Sequence, residues 1–174
     1  FQVLLNTGAA STILPSKLTA QLAKEPFREA FIAHFASAGN SLNERCAIAL
    51  MDLPVNEIRS WADYVRMPID VRDFSEIFSE LRVLINQQRN TAYQAIDVLH
   101  WFNRADVWRK PDRAQAILHL AEKLGMNIAP LIDAMRNTQA INTAEIIAGV
   151  AQEDRSNGER IGSAFESARL AAIT

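Results

Sequence analysis

Apolar residues recur at the helical interval along the whole chain, and the segment after Pro68 shows this most sharply. Val71, Phe74, Ile77, Phe78, Leu81, Leu84 and Ile85 fall on one face, and Asp70, Arg72, Asp73, Glu76, Glu80 and Arg82 fall on the other. Steps of three and four residues trace one stripe of an α-helix. The interval returns at Phe27, Phe31, Ile32 and Phe35, and again at Ile58, Trp61, Ala62 and Val65. Strict alternation, the mark of a half-buried strand, is missing, and Asn157-Gly158 leads into a helix instead of joining two strands. No fixed-period repeat occurs. The expected fold class is therefore all-α: about ten short helices in a compact or slightly elongated orthogonal bundle, divided by proline and glycine.

Helices are expected at residues 16–23, 27–36, 42–51, from Pro54, and from Pro68. A short apolar helix over residues 1–10 is broken near Gly8, and Ser41 or Asn43 is placed to cap the helix at 42. Residues 91–103 are apolar nearly all round (Tyr93, Ile96, Val98, Leu99, Trp101, Phe102), which marks a central helix. Pro111 opens the next helix, whose stripe is Ala114, Ile117, Leu118, Ala121 and Leu124, and Gly125 stops it. Three weaker patterns follow: residues 128–140, a short helix through Ala151 capped by Thr143, and residues 158–173. The last is expected to bury Ile161, Ala164, Phe165, Ala168 and Ala172, with a loop over 152–157 before it.

Composition narrows the function classes. With 174 residues, 49% hydrophobic and 22% charged, the chain can build a genuine core. A formal charge of -2 exerts no global pull on nucleic acid, so any phosphate binding must be local. The single cysteine, Cys46, excludes an internal disulfide, fits a reducing compartment, and reads as an inert thiol in an apolar helix. No apolar run approaches the roughly 18 residues of a membrane span, and no signal peptide is visible. A cytoplasmic location without a membrane partner is the expectation. The chain starts without methionine and in mid-helix, as the C-terminal piece of a longer protein does.

Catalytic and metal signatures are not found. His34, His100 and His119 each lie among apolar residues without a second ligand at metal spacing, and no nucleophile elbow, P-loop, dinucleotide fingerprint or C-x-x-C is present. Asp70, Asp73 and Glu76 interleave with Arg72 and are expected on a solvated helix face; Glu153-Asp154-Arg155 reads as a solvated loop. No catalytic and no metal residue is assigned.

One constellation stands out. Between the helix at 91–103 and the one opened by Pro111 lies Arg104-Ala-Asp-Val-Trp108-Arg109-Lys110, with Arg113 one turn into the second helix. Guanidinium forks beside helix N-terminal amides suit phosphate, and an indole can stack on a base. Arg104, Trp108, Arg109, Lys110 and Arg113 are the candidate RNA-binding residues. The alternative is that Trp108 packs inward and the cations pair with Asp97, Asp106 and Asp112.

The landmarks also occur in a familiar order. FQVLLNTGAASTILPSKLTAQL, RMPIDVRDFSEIFSELRVLI, ADVWRKPDR and GERIGSAFESARLAAI together resemble the helical C-terminal half of bacterial CCA-adding tRNA nucleotidyltransferases of the gamma-proteobacterial kind. The resemblance covers most of the chain and rests on the collinearity of these segments. It implies a degenerate HD-like helical body at residues 1–90 and a C-terminal helical tail at 91–174, both in one helical unit. It further implies a task of positioning tRNA, by shape and phosphate, for an absent head that adds C, C and A from CTP and ATP with Mg2+. No cofactor is expected in this fragment itself, which carries no Gly-Ser motif followed by a D-x-D pair.

Members of that family carry an HD phosphohydrolase domain with a His-Asp pair in an L-x-H-D-L-G-K context. The stretch that matches here is Ala49-Leu50-Met51-Asp52-Leu53-Pro54, with Met51 where the metal-binding histidine stands. One aspartate without its histidines falls short of a divalent-metal ligand set, so hydrolase activity is expected to be lost. Two other readings stay open: a non-catalytic helical scaffold or homodimerisation module derived from an HD domain, and the equivalent region of a poly(A) polymerase relative.

Overall fold

The computed structural model describes residue 7 and residues 9–39, 41–87 and 93–173. Among these the regular structure is entirely helical: α1 (Ala10–Ile13), α2 (Ser16–Leu22), α3 (Glu25–Ser37), α4 (Leu42–Leu50), α5 (Val55–Tyr64), α6 (Ile69–Gln87), α7 (Ala95–Ala105), α8 (Pro111–Lys123), α9 (Ala129–Gln139), α10 (Thr143–Gly149) and α11 (Gly158–Ile173), with a 3-10 turn at Gln152–Asp154. No helix among the described residues is long and apolar enough to cross a membrane. The helix expected over residues 1–10 lies mostly outside the described residues. The turn that is seen, α1, starts where that helix was expected to end.

Two compact units divide the chain. The first comprises residues 1–83 and 119–126, the second 84–118 and 127–174.

In the first unit, Phe27, Phe31 and Phe35 stack along α3 at 6.3 and 5.7 Å between ring centroids. Ile32, expected on the same face, is turned outward because it lies one residue, about 100° of helix rotation, from Phe31. Leu50, Leu53 and Ile58 form an apolar cluster, with Ala49, Trp61 and Met67 packed on it. Ser41 caps α4 by accepting from the Glu44 amide, and Pro54 stands just before α5. Helix α6 departs from the expected amphipathic pattern. Its middle, from Phe74 through Ser79, is buried on every side, Glu76 included.

The second unit inverts the other expectation. α7 was expected to be enclosed, yet Ile96, His100 and Asn103 are exposed while Val98, Leu99, Trp101, Phe102 and Ala105 are buried. It is α7 that is two-faced. α9, α10 and α7 pack on α11. α11 has no fully buried residue; Ile161, Ala164, Phe165, Ala168 and Ala172 are only half-covered. Asn142, rather than Thr143, caps α10, its side chain accepting from the Ala144 amide, because Asn142 holds the extended backbone that a cap requires.

Three helices end in the same way. Met67 N donates to Ala62 O, Val107 N to Phe102 O and Met126 N to Ala121 O, each closing a six-residue loop over a residue of positive φ. That residue is Gly125 after α8, but Arg66 after α5 and Asp106 after α7.

Candidate functional site

The basic elbow between α7 and α8 is built by the left-handed Asp106. With φ of 57° there, the chain reverses at once, and Arg109 N and Lys110 N both donate back to Asp106 O. Pro111 then starts α8 without needing a partner for a missing N–H.

The five expected residues separate into two groups. Arg109 and Lys110 are exposed; the Arg109 side chain retains 80% of its accessible surface and approaches Asp106 at 3.6 Å. An ion pair so solvated contributes little and leaves the cation available. Trp108, Arg113 and Arg104 are half-buried and engaged within the chain. Arg113 Nη2 donates to Ala105 O at 2.8 Å, closing a terminal carbonyl of α7. Trp108 meets the Phe102 ring edge-on at 6.2 Å between centroids. Its indole face carries the Arg169 guanidinium, 3.6 Å from the ring centroid. Neither Asp97 nor Asp112 pairs with these cations among the described residues; of the three carboxylates expected as partners, Asp106 alone does so.

Arg169 gave no signal in the sequence, because its partner Trp108 lies on the elbow, far away along the chain. It lines a cleft of about 230 Å³ together with Trp108, Pro111, Thr138, Ile141 and Phe165, all within the second unit. Burial lowers the pKa of this guanidinium below its ordinary value. Trp108 Nε1 and Arg113 Nε are buried without a hydrogen-bond acceptor among the described residues.

The first unit treats its charges differently. Arg82 Nη1 donates to Met51 O at 2.6 Å and to Asp52 Oδ1 at 2.5 Å, and Ser79 Oγ donates to Leu53 O at 2.8 Å. The Asp52 carboxylate in the Met51-Asp52 stretch is thus taken by an arginine on α6. Glu76, expected on a solvated face, is buried and grips Arg59 with both oxygens at 3.1 and 2.9 Å. That hydrogen bonding raises the Arg59 pKa above its usual value. Nothing local in the sequence signals the pair, since Arg59 precedes Glu76 by 17 residues.

The remaining candidates are ordinary. No group of three or more His, Cys, Asp or Glu side chains is gathered at metal-binding distance among the described residues. His119 is exposed near Glu122 at 3.6 Å. Burial pushes the Cys46 thiol up, away from the reactive thiolate. Arg155, expected in a solvated loop, is exposed and also donates to Val150 O at 3.0 Å and Ala148 O at 2.8 Å, closing the end of α10.

Comparison of the chain with protein-family models, curated proteins and solved structures finds no match to any of them.

Proposed function

We propose that this chain is an RNA-holding helical region of a tRNA nucleotidyltransferase of the CCA-adding kind, which positions tRNA for nucleotide addition by a catalytic head outside this sequence. The observation that carries the reading is the pair Arg109 and Lys110. Both are exposed at the start of α8, on an elbow fixed by Asp106 and by the Arg113 bond to Ala105. Exposed cations on a rigid turn beside a helix N-terminus suit a phosphodiester backbone, which is read by charge and spacing. The ordered landmarks of the sequence support the choice of tRNA. Mg2+, CTP and ATP belong to the proposed head, and a cytoplasmic location follows from the same reading.

The inward commitment of Trp108 and Arg113 supports a second reading, a helical scaffold or homodimerisation module without RNA, or the corresponding region of a poly(A) polymerase relative. Titration of an unmodified tRNA across a salt series separates the readings. Binding that weakens steeply with salt, and whose log–log slope becomes shallower by about 1.5 in Arg109→Ala/Lys110→Ala, is the expected result. Absence of salt-dependent binding to the wild-type chain would sink the RNA reading for this region and favour the scaffold, whose dimerisation sedimentation would detect.

A further inference from the structure

The Arg169 cleft is a second place where positive charge stands open, and it is independent of the exposed elbow cations. The guanidinium carbon stands over the Trp108 ring, 3.6 Å from its centroid, and 5.6 Å from that of Phe165. Stacking occupies the faces of the guanidinium plane and leaves its N–H edge free. No carboxylate pairs with Arg169, and its N–H groups meet no acceptor among the described residues. Three other half-buried arginines differ: Arg82 and Arg72 reach carboxylates, and Arg113 reaches a carbonyl.

A half-buried guanidinium whose hydrogen-bonding edge meets no acceptor from the protein can take one from a ligand. Carboxylates and phosphates are the acceptors whose paired oxygens match the fork. The cleft beside it adds apolar walls from Ile141, Phe165 and Pro111, with the Thr138 and Thr143 side chains as polar points. Its volume of about 230 Å³ admits a small molecule and not a folded partner.

We propose that this cleft binds a small organic oxyanion, a carboxylate or phosphate carried on a flat apolar body, with the Arg169 edge holding the anion and Trp108 orienting the guanidinium. Arg169 and Phe165 share one face of α11 at i and i+4, so a single helix supplies both the charge and one wall.

The test follows the three tryptophan indole N–H resonances by NMR while benzoate, phenyl phosphate, acetate and inorganic phosphate are each titrated to about 10 mM, a range that captures millimolar affinity. The Trp108 signal, assigned through Trp108→Phe, is expected to shift saturably with benzoate or phenyl phosphate, while Trp61 and Trp101 stay in place. Benzoate alone assigns a carboxylate ligand, and phenyl phosphate alone assigns a phosphate. Affinity is expected to fall at least tenfold in Arg169→Ala and several-fold in Arg169→Lys, which keeps the charge and loses the planar fork. Should Arg169→Ala lose its fold, Arg169→Lys and the cleft-filling Ile141→Trp carry the test, the latter abolishing the shift with Arg169 intact. A shift that survives Ile141→Trp and Arg169→Lys unchanged, equal affinity for acetate or inorganic phosphate, or no saturable shift from any probe overturns the proposal.

Discussion

Arg82 and Arg169 are both half-buried arginines, and the chain has dealt with them in opposite ways. Arg82 meets oxygen on both sides, a carbonyl from Met51 and a carboxylate from Asp52. Arg169 meets carbon, lying on Trp108 and near Phe165. Oxygen partners satisfy the hydrogen-bonding edge and leave nothing to offer a ligand. Aromatic partners fix the orientation of the same group and leave that edge available. The first arrangement holds a fold together; the second prepares a surface for something else. The elbow shows both within one turn, with Arg113 closed on Ala105 and Arg109 left to solvent.

The largest expected effect tests whether the aromatic platform is also structural. Trp108→Ala removes the edge contact with Phe102 and the seat of Arg169, and is expected to cost about 3 kcal/mol in a denaturant titration. A loss below about 1 kcal/mol would mean that the platform orients Arg169 without supporting the unit. Next, Asp52→Ala leaves Arg82, whose side chain is only 19% exposed, with a carbonyl alone. A destabilisation of about 2 kcal/mol is expected. If the variant is as stable as wild type, Arg82 is not closed by its carboxylate and the contrast with Arg169 fails.

Smaller effects sharpen the picture at the helix ends. Arg66 takes the left-handed cap position that Gly125 takes after α8, and it is exposed. Arg66→Gly is expected to raise stability by about 0.5–1 kcal/mol in the same titration, since glycine carries no Cβ penalty there. Arg109→Ala is expected to change stability by less than about 0.5 kcal/mol, as befits a solvated cation kept for contact and not for the fold.

Helix existence and most boundaries were legible because periodicity and punctuation are local. Pro111 and Gly125 bracket α8 as expected, and 158–173 is the observed span of α11. What could not be read was which helix becomes enclosed. α6 has a charged stripe, yet Glu76 is sealed by Arg59, and α7 has an apolar periphery, yet Ile96 faces water. Enclosure depends on neighbours supplied by distant segments. The same limit applies to the site: Arg104, Trp108, Arg109, Lys110 and Arg113 are contiguous and could be gathered by inspection. Arg169 joins Trp108 only through the packing of α11 against α7.

The left-handed Asp106 has a consequence for the lifetime of the chain. An exposed Arg-Lys pair is a natural target for trypsin-like proteases, which must draw several residues into an extended strand before cutting. The elbow resists extension, since Arg109 N and Lys110 N are tied to Asp106 O, and the Lys110–Pro111 bond is chemically unsuited to such cleavage. The turn that displays the basic pair thus also shields it, where the same two residues in an extended loop would invite cutting.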